Sequence, residues 1–291
     1  MLGLPLPGLG QQLEPGAYSV SPVGVNIFVF TYNLSGGDLN FDPSLPVEDA
    51  EATVNTAAFS YVRSLSVLGR SANIGISLPL TSGTVQGLYI GEFTKVDRTG
   101  LRDPYIRFGM NLLGAPAMGL KEFARYHQKT NIGFSAVIVP PLGQYDPSKI
   151  INLGANRWSF KPELGLSKAI GKWTLELYAG VWLFTDNTDF YNGKTREQNP
   201  IGLGQFHLLY TFEPRLWVSF NANFYTGGRT TVDGSLNQDF QRNSRFGTTI
   251  SIPLNPRHSL KLAYSRGAFT TIGADFDALT FGYQFIWGGG L

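Results

Sequence analysis

The chain reads as all-β: a closed antiparallel transmembrane barrel of about twelve strands, an even number as bacterial barrels require. Three observations predict it. The first is alternation. Arg157, Ser159, Lys161, Glu163, Gly165 and Ser167 fall on one face of a strand, and Trp158, Phe160, Pro162, Leu164 and Leu166 on the other, because successive side chains point to opposite sides. The pattern recurs down the chain, with one uniformly apolar face and one mixed polar face, which describes a barrel in lipid with a polar interior. The second is composition. Charged residues are 15% of the chain, against roughly 25% in an ordinary soluble domain, while aromatics reach 13% and Gly numbers 35. The third is that short and long connections alternate, as short periplasmic turns and longer outside loops do. Closure follows, since hydrocarbon leaves an open sheet edge unsatisfied.

Residues 1–17, rich in Pro and Gly, read as an irregular N-terminal segment, and residues 18–291 as a single barrel domain. That composition suits a flexible tail better than a plug folded into the barrel. Val23 to Leu34 is the first strand. The loop Ser35 to Thr53 holds Asp38, Asp42, Glu48, Asp49 and Glu51; it gathers acids as a Ca²⁺ site would, but a solvated outer loop is the better reading, and no metal is expected. Val54 to Leu68 and Ser71 to Leu80 pair around Gly69-Arg70. Arg63 falls on the apolar face near this turn, where a long side chain snorkels. A long loop, Thr81 to Gly100, leads to the strand Asp103 to Leu113. Leu120, Phe123, Ala124 and His127 then fall at helical spacing and predict a short amphipathic helix near residues 119–127.

Thr130 to Val139 is the next strand. Arg157 to Lys168 and Trp173 to Thr185 pair around Ile170-Gly171-Lys172, with Pro162 predicting a bulge or a lost bond. After the polar loop Asp186 to Asn199, Ile201 to Phe212 and Leu216 to Thr226 pair around Glu213-Pro214-Arg215. After Gly227 to Asn243, Ser244 to Pro253 and Ser259 to Ala268 pair around Asn255-Pro256. Asp277 to Trp287 closes the chain with an aromatic face.

The connection between the fifth and sixth strands carries a motif. Pro141, Gly143, Tyr145, Asp146 and Pro147 are followed by Asn152, Leu153, Gly154, Asn156, Arg157 and Trp158, then by Pro162, Leu164 and Gly165. With Asp103-Pro-Tyr-Ile-Arg-Phe-Gly-Met-Asn-Leu-Leu upstream, this resembles the signature of the phenol-degradation meta-pathway family of outer-membrane proteins. The resemblance covers roughly residues 100 to 185. It implies a Gram-negative outer-membrane barrel with a transporter-like role for small organic solutes.

Several classes are excluded. No Lys/Arg block accompanies the net charge of +2, so nothing suggests nucleic acid. Cysteine is absent, which removes disulfides, thiolate metal sites and a Cys nucleophile. No run of about 18 apolar residues would make a transmembrane helix. The opening Met-Leu-Gly-Leu-Pro lacks a basic region and is broken by Pro and Gly, so the expectation is that a signal peptide has been removed. The three His (127, 207 and 258) form no His-x-x-x-His, and there is no nucleophile elbow or phosphate loop. No enzyme and no cofactor are expected.

Strand parity points Tyr105, Arg107, Asn111, Arg157, Lys161, Glu163, Glu176, Tyr178, His207, Arg245 and Lys261 inward as the candidate solute path. Those charges either pair across strands and fill a narrow lumen or form a selectivity ring. Tyr105, Tyr178 and Trp182 offer an aromatic wall. Trp158, Phe285 and Trp287 face outward as an interface girdle. Expected partners are outer-membrane lipid, lipopolysaccharide and a small organic solute. A passive channel competes with a structural barrel that anchors loops or a periplasmic partner around a plugged lumen.

Overall fold

The computed structural model describes residues 13–41, 47–149 and 151–290. Its elements begin with β1 (Val25–Asn40), β2 (Val47–Val67), β3 (Arg70–Tyr89), β4 (Glu92–Leu101), β5 (Tyr105–Leu113) and the helical turn α1 (Leu120–Phe123). Next come β6 (Thr130–Val139), β7 (Ser159–Ile170), β8 (Trp173–Phe184), β9 (Asn187–Phe190), β10 (Lys194–Gln198), β11 (Ile201–Glu213) and β12 (Leu216–Gly227). The chain finishes with β13 (Thr230–Val232), β14 (Ser235–Leu236), β15 (Gln241–Pro253), β16 (His258–Thr270) and β17 (Gly273–Gly288).

Twelve of these strands close a barrel in the order β2-β1-β17-β16-β15-β12-β11-β8-β7-β6-β5-β3, with β3 pairing back to β2. Every pairing is antiparallel, and the first and last strands zip together from Val25↔Gly288 to Asn40↔Gly273. The short turns, the start of β1 and the end of β17 lie at one end of the barrel, the turn end; the long connections lie at the other, the loop end. No described helix is long and apolar enough to cross a membrane. The alternation sets which way each residue faces: Leu164 is 56% exposed while its neighbour Glu163 is 2% exposed. The apolar side chains thus form the outer wall, and a soluble fold would invert that arrangement.

The predicted long loops are more ordered than expected. β1 and β2 reach into the stretch 35–53, and β3 and β4 pair from Leu80↔Leu101 to Tyr89↔Glu92 across the stretch predicted as loop. The stretches 186–199 and 227–243 carry a separate four-stranded sheet, β14-β13-β10-β9. Its two hairpins turn on Asn192-Gly193 and Asp233-Gly234, all four residues with positive φ. Asn-Gly and Asp-Gly are the strongest short hairpin signals a sequence offers, and the polar reading of these stretches missed them.

Two further expectations are corrected, and a third is resolved. The helix near residues 119–127 is a single turn, Leu120–Phe123, with no buried residue. Glu122 Oε2 accepts the Gly119 N–H at 3.0 Å, but the Tyr126 hydroxyl donates to Gly114 O at 2.7 Å and pulls the chain back to the rim. At Pro162 the lost bond is the outcome rather than the bulge: the β7–β8 ladder skips Lys161 and Pro162 and resumes in the same register at Glu163↔Gly180. The N-terminal segment is no flexible tail where it is described. Residues 13–18 sit inside the lumen; residues 1–12 lie outside the described residues.

Candidate solute path through the barrel lumen

Antiparallel pairing sets inward residues in levels. One level runs through Ser135, Glu163, Gly180, Leu203 and Tyr225. The next toward the turn end holds Gly133, Gly165, Tyr178, Gln205, Asn223 and Arg245. Below it come Ser167, Glu176, His207 and Asn221. Asn111 pairs with Gly133 at the turn-end half of β5 and is buried.

The N-terminal segment climbs this wall from the turn end, where the Val23 N–H donates to Met118 O at 2.8 Å. The paired glycines 133 and 165 leave a notch for the Tyr18 ring; a Cβ at either position would overlap ring carbons. The Tyr18 hydroxyl lies 3.2 Å from Ser135 Oγ and donates to Glu163 Oε1 at 3.2 Å. The Gly16 N–H donates to Glu176 Oε2 at 2.7 Å and the Ala17 N–H to the Tyr178 hydroxyl at 3.2 Å. Higher up, Lys161 Nζ lies 3.4 Å from Glu163 Oε2 and 3.8 Å from Glu14 Oε1. Arg107 sits 5.7 Å from the Tyr18 ring centre and donates to Ala17 O at 3.5 Å. Such pairing offsets the cost of burying charges that would otherwise stand alone. His207 is fully buried, with Nδ1 2.9 Å from Asn221 Oδ1. The sequence reading missed Glu14 and Tyr18. The available signal was the pair of inward glycines on neighbouring strands, a gap that something must fill.

Beside the segment the described residues leave part of the lumen open. A cavity of about 490 Å³ is bounded by Glu14 and Pro15 on one side and by Tyr105, Trp217, Arg245 and Lys261 on others. Trp217, another residue the sequence reading passed over, lies under the Lys261 ammonium, 5.6 Å from ring centre to Nζ. Arg245 donates to the Phe276 carbonyl.

The loop end is lined by two apolar clusters. Val137, Val139, Trp182, Leu203 and Tyr225 form one, with Tyr105 and Phe184 against it. Leu39, Val54, Val85 and Phe276 belong to the other, and Leu153 of the motif connection packs among them. That connection starts at β6 and ends at β7, so reaching β1 and β17 takes it across the mouth. Asp103 holds it there: Oδ1 accepts the Gly143 N–H at 2.8 Å and Oδ2 the Ala155 N–H at 2.7 Å. Burial pushes the Asp103 carboxyl above its ordinary value, and these N–H groups oppose the rise. Gly154 packs against Gly143, and Pro141 opens the connection just beyond β6.

The rest of the motif holds the connection in shape. Asn152 accepts the Asp146 N–H at 2.9 Å and donates to Lys149 O at 2.9 Å. The Asn156 amide reaches Asn187 Oδ1 at 2.9 Å, and the Tyr145 hydroxyl donates to Asp189 O at 3.1 Å. The Asn192 N–H donates to Pro147 O at 2.9 Å. Lys149 and Ser148 hold the Asp146 carboxyl down at about 2. Arg157 precedes β7 rather than lying within it; it donates to Gln198 and stacks on Phe184 at 4.3 Å. On the outer wall, Trp158 stacks on Phe160 at the loop end, and Phe285 on Trp287 at the turn end. Asp42 of the acidic stretch lies outside the described residues. Among the described residues no group of three or more His, Asp and Glu is placed to hold a metal.

An apolar outer wall, a polar and partly filled lumen and an ordered loop end define a transmembrane β-barrel of the bacterial outer-membrane type. Within that class, the chain belongs to the family described as "Putative MetA-pathway of phenol degradation", whose model matches residues 31–271. Among solved structures, the COG4313 outer membrane channel from Pseudomonas putida F1 superposes with a TM-score of 0.79 at 21% identity, covering 95% of this chain and 100% of that one. The TodX deltaS2S3 mutant monoaromatic hydrocarbon channel gives a TM-score of 0.50 at 11% identity, over 96% of this chain and 93% of its own. At these identities the likeness is one of fold. No curated protein matches the sequence.

Proposed function

We propose that this chain is a passive channel of the bacterial outer membrane for small organic solutes with an apolar or aromatic body. The observation that carries the reading is the cavity of about 490 Å³ left open beside the seated segment, below a mouth lined by apolar clusters. The family, the outer membrane channel from Pseudomonas putida F1 and the monoaromatic hydrocarbon channel, as those proteins are described, support it. A solute entering at the loop end meets Trp182, Tyr225 and Tyr105, then the charged wall of Arg107, Lys161 and Glu163, then the cavity. Burying about 100 Å² of apolar solute surface is worth on the order of 2.5 kcal/mol, before the cost of lost solute freedom. Binding of that strength lets a solute enter and also leave, as conduction requires. The two solved structures are described as channels, which favours a transport role for this chain over catalysis. Lipid and lipopolysaccharide contact the outer wall.

The seated segment favours one competing reading, a plugged structural barrel. Planar-bilayer recording separates the two. The channel reading expects discrete ion currents, interrupted by benzyl alcohol and unaffected by equimolar sorbitol. A folded barrel that carries no current and admits no sugar in liposome swelling would establish the plugged reading instead.

A further inference from the structure

Resting on the channel reading, we infer that the cavity takes a small aromatic carboxylate, with Lys261 holding the anionic group and Trp217 the ring. The argument starts from charge. Among the described residues, the charged side chains bounding the cavity are Glu14, Arg102, Arg245 and Lys261. Glu14, the single carboxylate among them, already faces Lys161 at 3.8 Å. Arg102 adjoins Asp103, and Arg245 has Asp275 and Asp277 near it, so Lys261 is the cavity cation to which an anion would go.

Lys261 differs from the other lumen lysine. Lys161 is flanked by two carboxylates, whereas among the described residues no carboxylate pairs with Lys261, whose ammonium lies over the Trp217 ring. A cation in a confined lumen without a counter-charge is costly unless an anion joins it.

The surroundings leave room for that anion and for a flat body attached to it. Pairing places Trp217, Ser251, Lys261, Gly282, Thr31 and Ala58 at one level of the wall. Next to Lys261 stands Gly282, where a Cβ would come within 3.3 Å of the lysine Cβ; the missing side chain keeps the space beside the stem open. Thr31 and Ala58 on the far side are small, and both bound the cavity. A carboxylate meeting the Lys261 ammonium would lay its ring along Trp217, where aromatic surfaces pair favourably. Arg245 lies six residues up β15 from Ser251, about 20 Å along the strand, toward the loop end. A second cation there draws anions inward before they reach Lys261.

The test is calorimetric titration of the folded full chain in detergent with benzoate, its neutral counterpart benzamide, acetate and chloride. Benzoate is expected to bind about tenfold more tightly than benzamide, with acetate and chloride weaker than benzoate. Lys261→Gln should bring the benzoate-to-benzamide ratio to about one, and Trp217→Leu should weaken both aromatic ligands while keeping the ratio. A wild-type ratio near one, a ratio unchanged by Lys261→Gln, or acetate or chloride binding as tightly as benzoate would each overturn the inference. Should Lys261→Gln not fold, the wild-type ratio and Lys261→Arg, which keeps the charge and should keep the ratio, decide it. Bilayer recording on the same preparation separates the two readings. A conducting barrel indifferent to ligand charge overturns the anion site and leaves the channel; a silent barrel that discriminates does the opposite.

Discussion

The Tyr18 ring is held by what two residues lack. With no side chain at 133 or 165, the ring lies flat against the wall and its hydroxyl reaches Ser135 and Glu163. Gly165→Ala should expel the ring while the β6–β7 ladder persists, because alanine is tolerated in a strand. The expected outcome is a folded barrel with higher single-channel conductance. Tyr18→Ala should do the same, since removing a buried aromatic costs on the order of 3 kcal/mol. Unchanged conductance in both variants would show that the segment does not limit the path. Asp103 acts at the mouth. Asp103→Ala leaves the Gly143 and Ala155 N–H groups without their acceptor, at about 1–3 kcal/mol, and should make residues 141–156 sensitive to limited proteolysis without changing barrel mobility on gels. Asp146 works in another pH range. Held down by Lys149 and Ser148, its contribution is present above the usual carboxylate value and lost as pH falls through about 2, so the connection should keep its shape across the neutral range. Neither Tyr18 nor Asp103 was legible in advance. Their partners lie 117 and 145 residues away for Tyr18 and 40 and 52 away for Asp103, and no local period reports on such distances.

At the scale of the strand, a period of two decides which medium each side chain meets. β8 offers the sharpest test: Leu177 is 45% exposed on the outer wall and its neighbour Glu176 is 1% exposed in the lumen. Leu177→Arg places a charge in the hydrocarbon, at about 2–4 kcal/mol near the midplane, and should abolish the heat-modifiable gel shift of the folded barrel. Lys161→Glu with Arg107→Glu should leave that shift intact and reverse the sign of the reversal potential in a salt gradient. If the lumen pair unfolds the barrel and Leu177→Arg does not, the assignment of the two faces is inverted. Period two made the wall strands legible because lipid and lumen demand opposite chemistry at every step. The loop-end strands were not, because β9 and β13 span only four and three residues, too few for a period of two to stand out, and β4 is exposed along most of its length. Only the turn residues Asn192-Gly193 and Asp233-Gly234 marked them. The helix failed for a related reason: one turn of helical spacing matches four residues by chance, and a single Tyr126 hydrogen bond outweighs it.

For the whole molecule, stacked aromatics stand at both rims of the outer wall. Trp158 is 45% exposed at the loop end, and Trp287 stacks on Phe285 at the turn end. Amphipathic rings favour the headgroup level, so brominated lipids should quench tryptophan fluorescence, most strongly with bromine near the headgroup. Equal quenching at all depths would argue against a girdle. The barrel closes by zipping its first strand to its last, and the segment that fills its lumen leaves from the foot of that seam, where the Gly24 N–H donates to Ser64 O at 3.1 Å. A segment anchored at that foot cannot diffuse away when Tyr18 lets go. Its Tyr18, six residues from Gly24, strays no more than about 20 Å, and a short tether keeps the ring at a local concentration in the millimolar range. Recapture then competes with every release. The current through a single barrel should arrive as brief flickers rather than long openings, and the dwell times of those flickers would time the loosening of one tyrosine from its seat.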